Sequence, residues 1–208
     1  MPENPRIVIT RPIPGDPAAR IRNAGFDNIW LNDRDEPLAR DQLLEAVIGA
    51  HAVLDTPADT RVDAEFFDAA GDQLMIVSNL AVGVDNIDLD EAAKRGVMVG
   101  HTPHAVTEPT ADIAWLLMLG AARRAHEGEQ LVRSGEWTGL SPNQLLGMRL
   151  IEKTLLIIGP GRIGYATARR AVGWKMNILY HARSQHIEFE IPPLNATQVN
   201  LDEGLARA

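Results

Sequence analysis

The stretch Leu155-Leu156-Ile157-Ile158-Gly159-Pro160-Gly161-Arg162-Ile163-Gly164 decides the fold of this chain. Its four leading apolar residues predict a buried strand, which runs straight into glycines spaced G-x-G-x-x-G. A helix-forming segment with Ala166, Ala168 and Ala171 follows, and Asn177-Ile178-Leu179-Tyr180 predicts a second strand. A strand, a glycine turn, a helix and a further strand within about 30 residues are typical of a dinucleotide-binding βαβ unit.

Each glycine of this loop has a physical task. Gly159 permits the tight turn, Gly161 lets the backbone approach a pyrophosphate, and Gly164 allows close packing of helix and strand. The first residues of the following helix, Arg162 and Ile163, supply free N–H groups at the positive end of the helix dipole, and the Arg162 side chain adds a positive charge. We therefore predict that the loop binds the pyrophosphate of a nicotinamide cofactor, the alternative being a glycine turn that binds nothing.

The end of the second strand indicates which nicotinamide cofactor is bound. About 20 residues beyond the glycines, this fold usually has an acidic residue for a ribose 2′-hydroxyl, whereas an Arg nearby accommodates a 2′-phosphate. Here the small Ala182 occupies the expected carboxylate position, and Arg183 and Ser184 follow it. Arg183 can pair with the phosphate and Ser184 can donate a hydrogen bond. The sequence favours NADP(H) over NAD(H), the alternative being that Arg183 is only a surface charge.

The N-terminal half of the chain alternates short apolar runs with helix-like segments. The apolar runs cover residues 6–10, 52–54, 75–77 and 97–99, and the helix-like segments cover residues 18–24 and 40–48. Strands that alternate with helices predict a parallel sheet covered on both faces. A long helix is predicted from Thr107 to about Ser134, before Gly135, Gly139 and Pro142 break the chain. We place the domain boundary between residues 100 and 101.

Composition excludes several classes of function. The 208 residues carry a formal net charge of −8, which leaves no excess of Lys and Arg for binding nucleic acid or acidic membranes. The lack of cysteine excludes disulfides, thiolate metal sites and a cysteine nucleophile. The chain shows neither a signal pattern nor an apolar run of about 20 residues, so a cytoplasmic protein is the simplest interpretation. The histidine spacing suggests no metal site.

Five motifs in a fixed order carry a resemblance to a known family. They are Ile9-Thr10-Arg11-Pro12-Ile13-Pro14, Ala81-Val82-Gly83-Val84-Asp85-Asn86-Ile87-Asp88, Thr107-Glu108-Pro109-Thr110-Ala111-Asp112-Ile113-Ala114-Trp115, Arg133-Ser134-Gly135-Glu136-Trp137 and the glycine loop. Together they resemble the D-isomer-specific 2-hydroxyacid dehydrogenases, especially the glyoxylate/hydroxypyruvate reductase branch. The resemblance implies an α/β protein with a flavodoxin-like substrate (lid) domain in residues 1–100. The first half of a Rossmann NAD(P)-binding domain then follows in residues 101–208.

The resemblance also implies roles for individual residues. The backbone at Val82 and Gly83 would receive the substrate carboxylate, because successive N–H groups can form a small anion nest. The alternative is an ordinary strand-to-helix turn in which Asp85 or Asn86 caps the next element. Thr110 would lie near the nicotinamide end of the cofactor, although a threonine at a helix start needs no ligand to explain it.

The long helix and the arm around Trp137 resemble the family's dimerisation region, which implies a homodimer. Trp115 and Trp137 are equally compatible with a local core. The chain also departs from the family pattern at several positions. Among them, His101 stands where the family more often has Asn, and Pro109 interrupts the family's usual sequence at that position.

Reduction of a 2-oxo acid needs a hydride, a proton donor and a positive group at the carboxylate. The family uses an Arg and a Glu that holds a His, and we expect this chain to stop before them. We therefore assign no catalytic residue. The alternative is a substitute acid/base pair formed by His104 with Glu108 or Asp112.

The expected function is NADP(H)-dependent reduction of a small 2-oxo acid such as glyoxylate or hydroxypyruvate, with this chain incomplete for catalysis. The alternatives are a non-catalytic nucleotide-binding module and a structural oligomerisation unit.

Overall fold

A computed structural model describes residues 2–57 and 61–208 of the chain. The chain divides into two compact units, Met1–Ala105 and Val106–Ala208. The division lies between the last strand of the first sheet and the long helix that the sequence predicts from Thr107.

The first unit is a parallel α/β structure. Its strands are β1 (Ile7–Ile9), β2 (Ile29–Leu31), β3 (Ala52–Asp55), β4 (Ile76–Asn79) and β5 (Met98–Gly100), and its helices are α1 (Pro17–Asn23), α2 (Arg40–Val47), α3 (Ala64–Ala70) and α4 (Leu89–Lys94). The strands are all parallel in the order β2-β1-β3-β4-β5. This is the flavodoxin-like order, so the predicted fold of this unit is confirmed. Strand β2 is an element that the sequence analysis missed.

The two faces of this sheet are covered unequally. On one face, Val8, Val53 and Val77 pack with buried residues of α2, α3 and α4, among them Phe66 and Phe67. On the other face, α1 lines one side of an open groove of about 570 Å³ whose floor is formed by residues of β1, β3 and β4. In the described part of this unit, the sheet is therefore fully covered on one face and only partly covered on the other, whereas the sequence predicts that both faces are covered.

A charged cluster fixes the start of α3. Asp63 is the N-cap residue, and its carboxylate accepts a hydrogen bond from the N–H of Phe66 at 3.2 Å. The same carboxylate pairs with Arg40, whose guanidinium also reaches Glu65 at 2.9 Å. Burial raises the pKa of Asp63, but the hydrogen bonds from Arg40 and Phe66 lower it more, so the net pKa lies below its ordinary value.

Replacing Asp63 with alanine is expected to lower the free energy of unfolding by about 1–2 kcal/mol at pH 7, because the helix loses its cap. The folded-state pKa is lowered, so this stabilisation is present above the unfolded pKa of 3.8 and is lost as the pH falls through the folded value. Urea unfolding between pH 5 and pH 2 measures it. Asp88→Ala, at the N-cap of α4, removes a cap that has no arginine partner in the described ranges. If the free energy of unfolding falls equally steeply with decreasing pH in both variants, Arg40 does not stabilise the Asp63 carboxylate as described.

The second unit carries a smaller parallel sheet. Its strands are β6 (Thr154–Ile158), β7 (Asn177–His181) and β8 (Thr197–Gln198), and its helices are α5 (Thr107–Ala122), α6 (Ala125–Arg133), α7 (Arg162–Ala171), α8 (Ile187–Glu190) and α9 (Leu201–Arg207), with a 3-10 turn at Val172–Trp174. The strand order is β6-β7-β8, with both pairs parallel. This is the order of the first half of a Rossmann sheet, as predicted.

The sequence predicts a single helix from Thr107 to about Ser134. That prediction is wrong in one respect, because the structure has two consecutive helices, α5 and α6, over this range. Arg124 lies between them with φ of 54° and ψ of 40°, in the left-handed region that interrupts an α-helix. A distant segment stabilises the break: the N–H of Met148 donates to the carbonyl of Ala122 at 2.7 Å. A Cβ on the neighbouring Gly147 would lie 2.5 Å from that same carbonyl oxygen, so only glycine permits this close approach.

Helix α5 packs on α7 through a buried tryptophan. Trp115 is 5% exposed, donates from Nε1 to the carbonyl of Thr167 at 2.9 Å, and stacks on Trp174 with ring centroids 5.7 Å apart. At the exposed edge of this contact, Arg170 pairs with Asp112 at 2.6 Å and with Glu108 at 2.8 Å. Trp115 therefore belongs to the core of its own unit.

Candidate functional site

The glycine loop connects β6 to α7 in a tight turn. Gly159 has φ of 89°, a conformation that side chains rarely adopt, and its N–H donates to the carbonyl of His181 at 3.1 Å. A Cβ on Gly164 would lie 2.5 Å from the carbonyl oxygen of Gly159 and 3.0 Å from Ile157 Cγ2. By contrast, a Cβ on Gly161 would meet no atom of the described residues within 4 Å. The first and last glycines are thus required by the turn itself, whereas Gly161 faces open space.

Helix α7 begins with unpaired donors directly beside that open space. Gly161 is its N-cap residue and offers no side-chain cap. Among residues 2–57 and 61–208, no acceptor takes a hydrogen bond from the N–H groups of Arg162 or Ile163. Free N–H groups and the positive end of the helix dipole favour an anion at this position. The loop therefore has the geometry that binding a pyrophosphate requires.

Ala182, Arg183 and Ser184 follow β7 at the same edge of the sheet. Ile158 at the end of β6 pairs with His181 at the end of β7, so the glycine loop and this segment leave neighbouring parallel strands together. The Arg183 and Ser184 side chains are exposed, and in the described part of the chain they make neither an ion pair nor a hydrogen bond. Gln198 donates from Nε2 to the carbonyls of Ala182 and Ser184 at 3.1 and 3.2 Å and so holds the backbone of the segment.

Two carboxylates near this segment were missed in the sequence analysis. Glu190 accepts a hydrogen bond from the Tyr180 hydroxyl at 2.6 Å and another from Gln185, and these bonds lower the pKa of Glu190. Burial raises the pKa of Tyr180, and its bond to Glu190 raises that pKa further. Glu188 contacts His186 Nδ1 at 3.0 Å. Because both carboxylates already have partners, they leave Arg183 available to an external anion.

Val82 and Gly83 lie in the loop that follows β4. Three consecutive carbonyls of this loop have partners: Ala81 accepts from the Thr102 N–H at 2.7 Å, Val82 contacts His101 Nδ1 at 2.9 Å, and Gly83 accepts from Asn79 Nδ2 at 3.0 Å. No described acceptor takes a bond from the N–H groups of Val82, Gly83 or Val84. The loop thus presents successive unpaired donors, the arrangement of an anion nest.

Buried polar side chains support this loop from below. Asn79 is 1% exposed and contacts Asn86 Oδ1 at 3.0 Å, and Asn86 donates to Asp55 Oδ2 at 3.1 Å. The next helix, α4, is capped by Asp88, whose carboxylate accepts from the Glu91 N–H at 2.9 Å. The alternative in which Asp85 or Asn86 caps this helix is therefore wrong, because Asp88 performs that task.

The positions of the other candidate residues give little information about their function. Thr110 lies exposed in the first turn of α5, where its N–H donates to the carbonyl of Val106 at 3.0 Å. Glu108 and Asp112, weighed as partners of His104, both pair with Arg170. Within the described ranges, no cluster of three or more His, Cys, Asp or Glu side chains could hold a metal ion. In the same ranges, no helix is long and apolar enough to cross a membrane.

Comparison with known proteins identifies relatives of the chain. It is 43% identical over 203 residues to the glyoxylate reductase of Thermococcus onnurineus (strain NA1), and the match covers 96% of this chain and 59% of the relative. It is 40% identical over 165 residues to the glyoxylate reductase/hydroxypyruvate reductase of Mus musculus, covering 79% of this chain and 50% of that relative. The chain thus spans little more than half the length of these relatives.

Solved structures and a family model agree with these relatives. The TT0316 protein of Thermus thermophilus superposes with a TM-score of 0.87 at 38% identity, covering 98% of this chain and 62% of that one. A glyoxylate reductase from Paecilomyes thermophila superposes with a TM-score of 0.79 at 30% identity, covering 99% and 63%. The model of the D-isomer specific 2-hydroxyacid dehydrogenase catalytic domain matches residues 7–198. The resemblance seen in the motifs is confirmed, and the chain belongs to the family of D-isomer-specific 2-hydroxyacid dehydrogenases.

Proposed function

We propose that this chain is the substrate- and cofactor-binding part of an NADP(H)-dependent reductase that acts on a small 2-oxo acid such as glyoxylate or hydroxypyruvate. The observation that carries the proposal is the edge formed by β6 and β7, which are neighbouring parallel strands. The N–H groups of Arg162 and Ile163 and the Arg183 side chain all follow these strand ends, and none of them has a partner within residues 2–57 and 61–208. The names of the relatives from Thermococcus onnurineus and Mus musculus support the class of substrate.

The proposed roles follow the two units of the chain. In the unit Met1–Ala105, the N–H groups at Val82 and Gly83 would bind the substrate carboxylate. In the unit Val106–Ala208, the glycine loop would hold the pyrophosphate and Thr110 would lie near the nicotinamide. Bound NADPH supplies the hydride, and this chain's residues bind and orient the two reactants.

We also propose that the protein forms a homodimer through α5 and the segment that follows α6. The support is a set of exposed apolar side chains on these segments, namely Ile113 (53% exposed), Leu116 (63%), Leu117 (67%), Leu140 (96%) and Met148 (60%). Such a concentration of apolar surface is typical of an interaction site.

Parallel titrations of the chain with NADPH and NADH test the cofactor proposal. NADPH is expected to bind more tightly than NADH, because Arg183 can form a charged pair with the 2′-phosphate, a group that NADH lacks. Equal affinity for both cofactors would contradict the NADP(H) preference, and the absence of binding for both would contradict the glycine loop as a cofactor site.

Replacing Arg183 with alanine is expected to weaken NADPH binding by about 1.5–3 kcal/mol, the contribution of a charged hydrogen bond, and to leave NADH binding unchanged. Isothermal titration calorimetry of both cofactors measures the difference. Arg162→Ala is the matched control, because a charge at the pyrophosphate serves both cofactors and its removal should weaken both equally. An equal loss of both cofactors in the Arg183 variant would show that this side chain does not bind the 2′-phosphate.

A further inference from the structure

The loop after β4 is held by its carbonyl groups, one peptide at a time. In a trans peptide, the C=O of one residue and the N–H of the next point in opposite directions within one plane. The bonds to Ala81, Val82 and Gly83 therefore fix the peptides that carry the N–H groups of Val82, Gly83 and Val84. A hydrogen bond to the carbonyl of a peptide therefore determines where the N–H on the opposite side of that peptide points.

The three carbonyls accept hydrogen bonds from donors of different types. The Ala81 carbonyl is held by the backbone N–H of Thr102, which no substitution other than proline removes. The Val82 carbonyl is held by the His101 ring, and the Gly83 carbonyl by the buried amide of Asn79. Because a carbonyl oxygen can only accept, Nδ1 of His101 must carry the hydrogen in this contact.

We propose that His101 and Asn79 are positioning residues that aim the N–H groups of Gly83 and Val84 at the substrate carboxylate. The inference rests on the proposed function, because it takes Val82 and Gly83 as the site of that carboxylate. His101 acts through the Val82 peptide and does not need to touch the substrate. Pre-organised donors bind an anion more tightly than donors that must first be ordered, because the cost of ordering is already met in the free protein.

A negative charge within this loop makes the positioning more important. A Cβ built on Gly83 would lie 2.9 Å from Oδ2 of Asp85, so a carboxylate stands close to the backbone that would receive an anion. The Asp85 carboxylate would repel a substrate carboxylate, so several N–H groups must point at the substrate to outweigh this repulsion. Asn79 suits the task because it is buried and its amide is itself held by Asn86, which in turn donates to Asp55.

Nuclear magnetic resonance of the 15N-labelled chain tests the proposal without relying on turnover. In the absence of ligand, His101→Ala is expected to lower the backbone order parameters of Val82, Gly83 and Val84 from the rigid value of about 0.85 towards about 0.6. His101→Asn, whose side-chain amide can donate to the same carbonyl, is expected to restore them. Order parameters that stay unchanged in the alanine variant would overturn the proposal.

The same samples are then titrated with oxamate, a stable analogue of a small 2-oxo acid. Shifts at the amides of Val82, Gly83 and Val84 are expected in the parent chain, with a dissociation constant raised about 3- to 10-fold by His101→Ala and restored by His101→Asn. The thermal midpoint of unfolding should stay within about 2 °C, because His101 is exposed.

The outcomes separate the two proposals. Parent amides that show no shift would overturn the substrate position in the proposed function, whereas the order parameters would still decide the role of His101. Oxamate that binds the parent and the alanine variant equally would overturn the positioning role and leave the proposed function standing.

Discussion

Replacing Gly164 with alanine is expected to abolish the binding of NADPH and NADH together and to lower the free energy of unfolding by about 1–3 kcal/mol, the usual cost of overpacking. The new Cβ would lie 2.5 Å from the Gly159 carbonyl oxygen, a backbone atom that cannot move without opening the turn. Helix α7 would then be displaced from β6, and its first N–H groups would leave the pyrophosphate position. Calorimetric titration and urea unfolding measure the two effects.

Gly161→Ala is the matched control for this prediction. Its Cβ would meet no atom within 4 Å in the part of the chain that the structure describes, and its φ of −84° is one that alanine adopts freely, so the fold should be unaffected. Cofactor binding should still weaken, because the methyl group would occupy the space through which the pyrophosphate approaches. Unchanged binding in both variants would rule out this loop as the cofactor site. A large loss of stability in the Gly161 variant would show that the turn is more crowded than the structure indicates.

Replacing Trp115 with alanine is expected to cost about 3–5 kcal/mol of unfolding free energy, the largest effect among these predictions. The substitution removes the stacking on Trp174 and the hydrogen bond to the Thr167 carbonyl, and it leaves a cavity between α5 and α7. Urea unfolding, followed by circular dichroism, measures the loss. Because α7 carries the glycine loop, cofactor affinity should fall as well, in proportion to the unfolded fraction.

Trp137→Ala is the control for Trp115. The Trp137 side chain is 48% exposed, so its removal from the dilute chain should change stability by no more than about 0.5 kcal/mol. Equal losses in the two variants would contradict the assignment of Trp115 to the core and of Trp137 to the surface.

The parts of the fold that could be predicted from the sequence are those encoded within a few neighbouring residues. The turn at Gly159 needs a residue that tolerates positive φ, and the packing at Gly164 needs one without a side chain, so the glycine spacing indicates both. The apolar runs of β1, β3, β4 and β6 are short and bounded by turn residues, which is a strong signal for strands of a parallel sheet.

The features that could not be predicted depend on contacts between distant segments. The break at Arg124 is stabilised by Met148, which is far away in the sequence and gives no local signal. The contact between His101 and Val82 joins the loops after β5 and β4, so His101 stands out in the sequence only as an unusual residue type. Gln198 likewise reaches the segment after β7 only because β8 pairs with that strand.

The uneven covering of the first sheet has a thermodynamic consequence. The heat-capacity change of unfolding is set by the apolar surface that passes from the interior into water. The groove beside α1 and the side chain of Met98 are already exposed in the folded unit, so they add little to that change. The stability of the first unit should therefore vary less steeply with temperature than that of a flavodoxin-like domain of equal length whose sheet is fully covered on both faces.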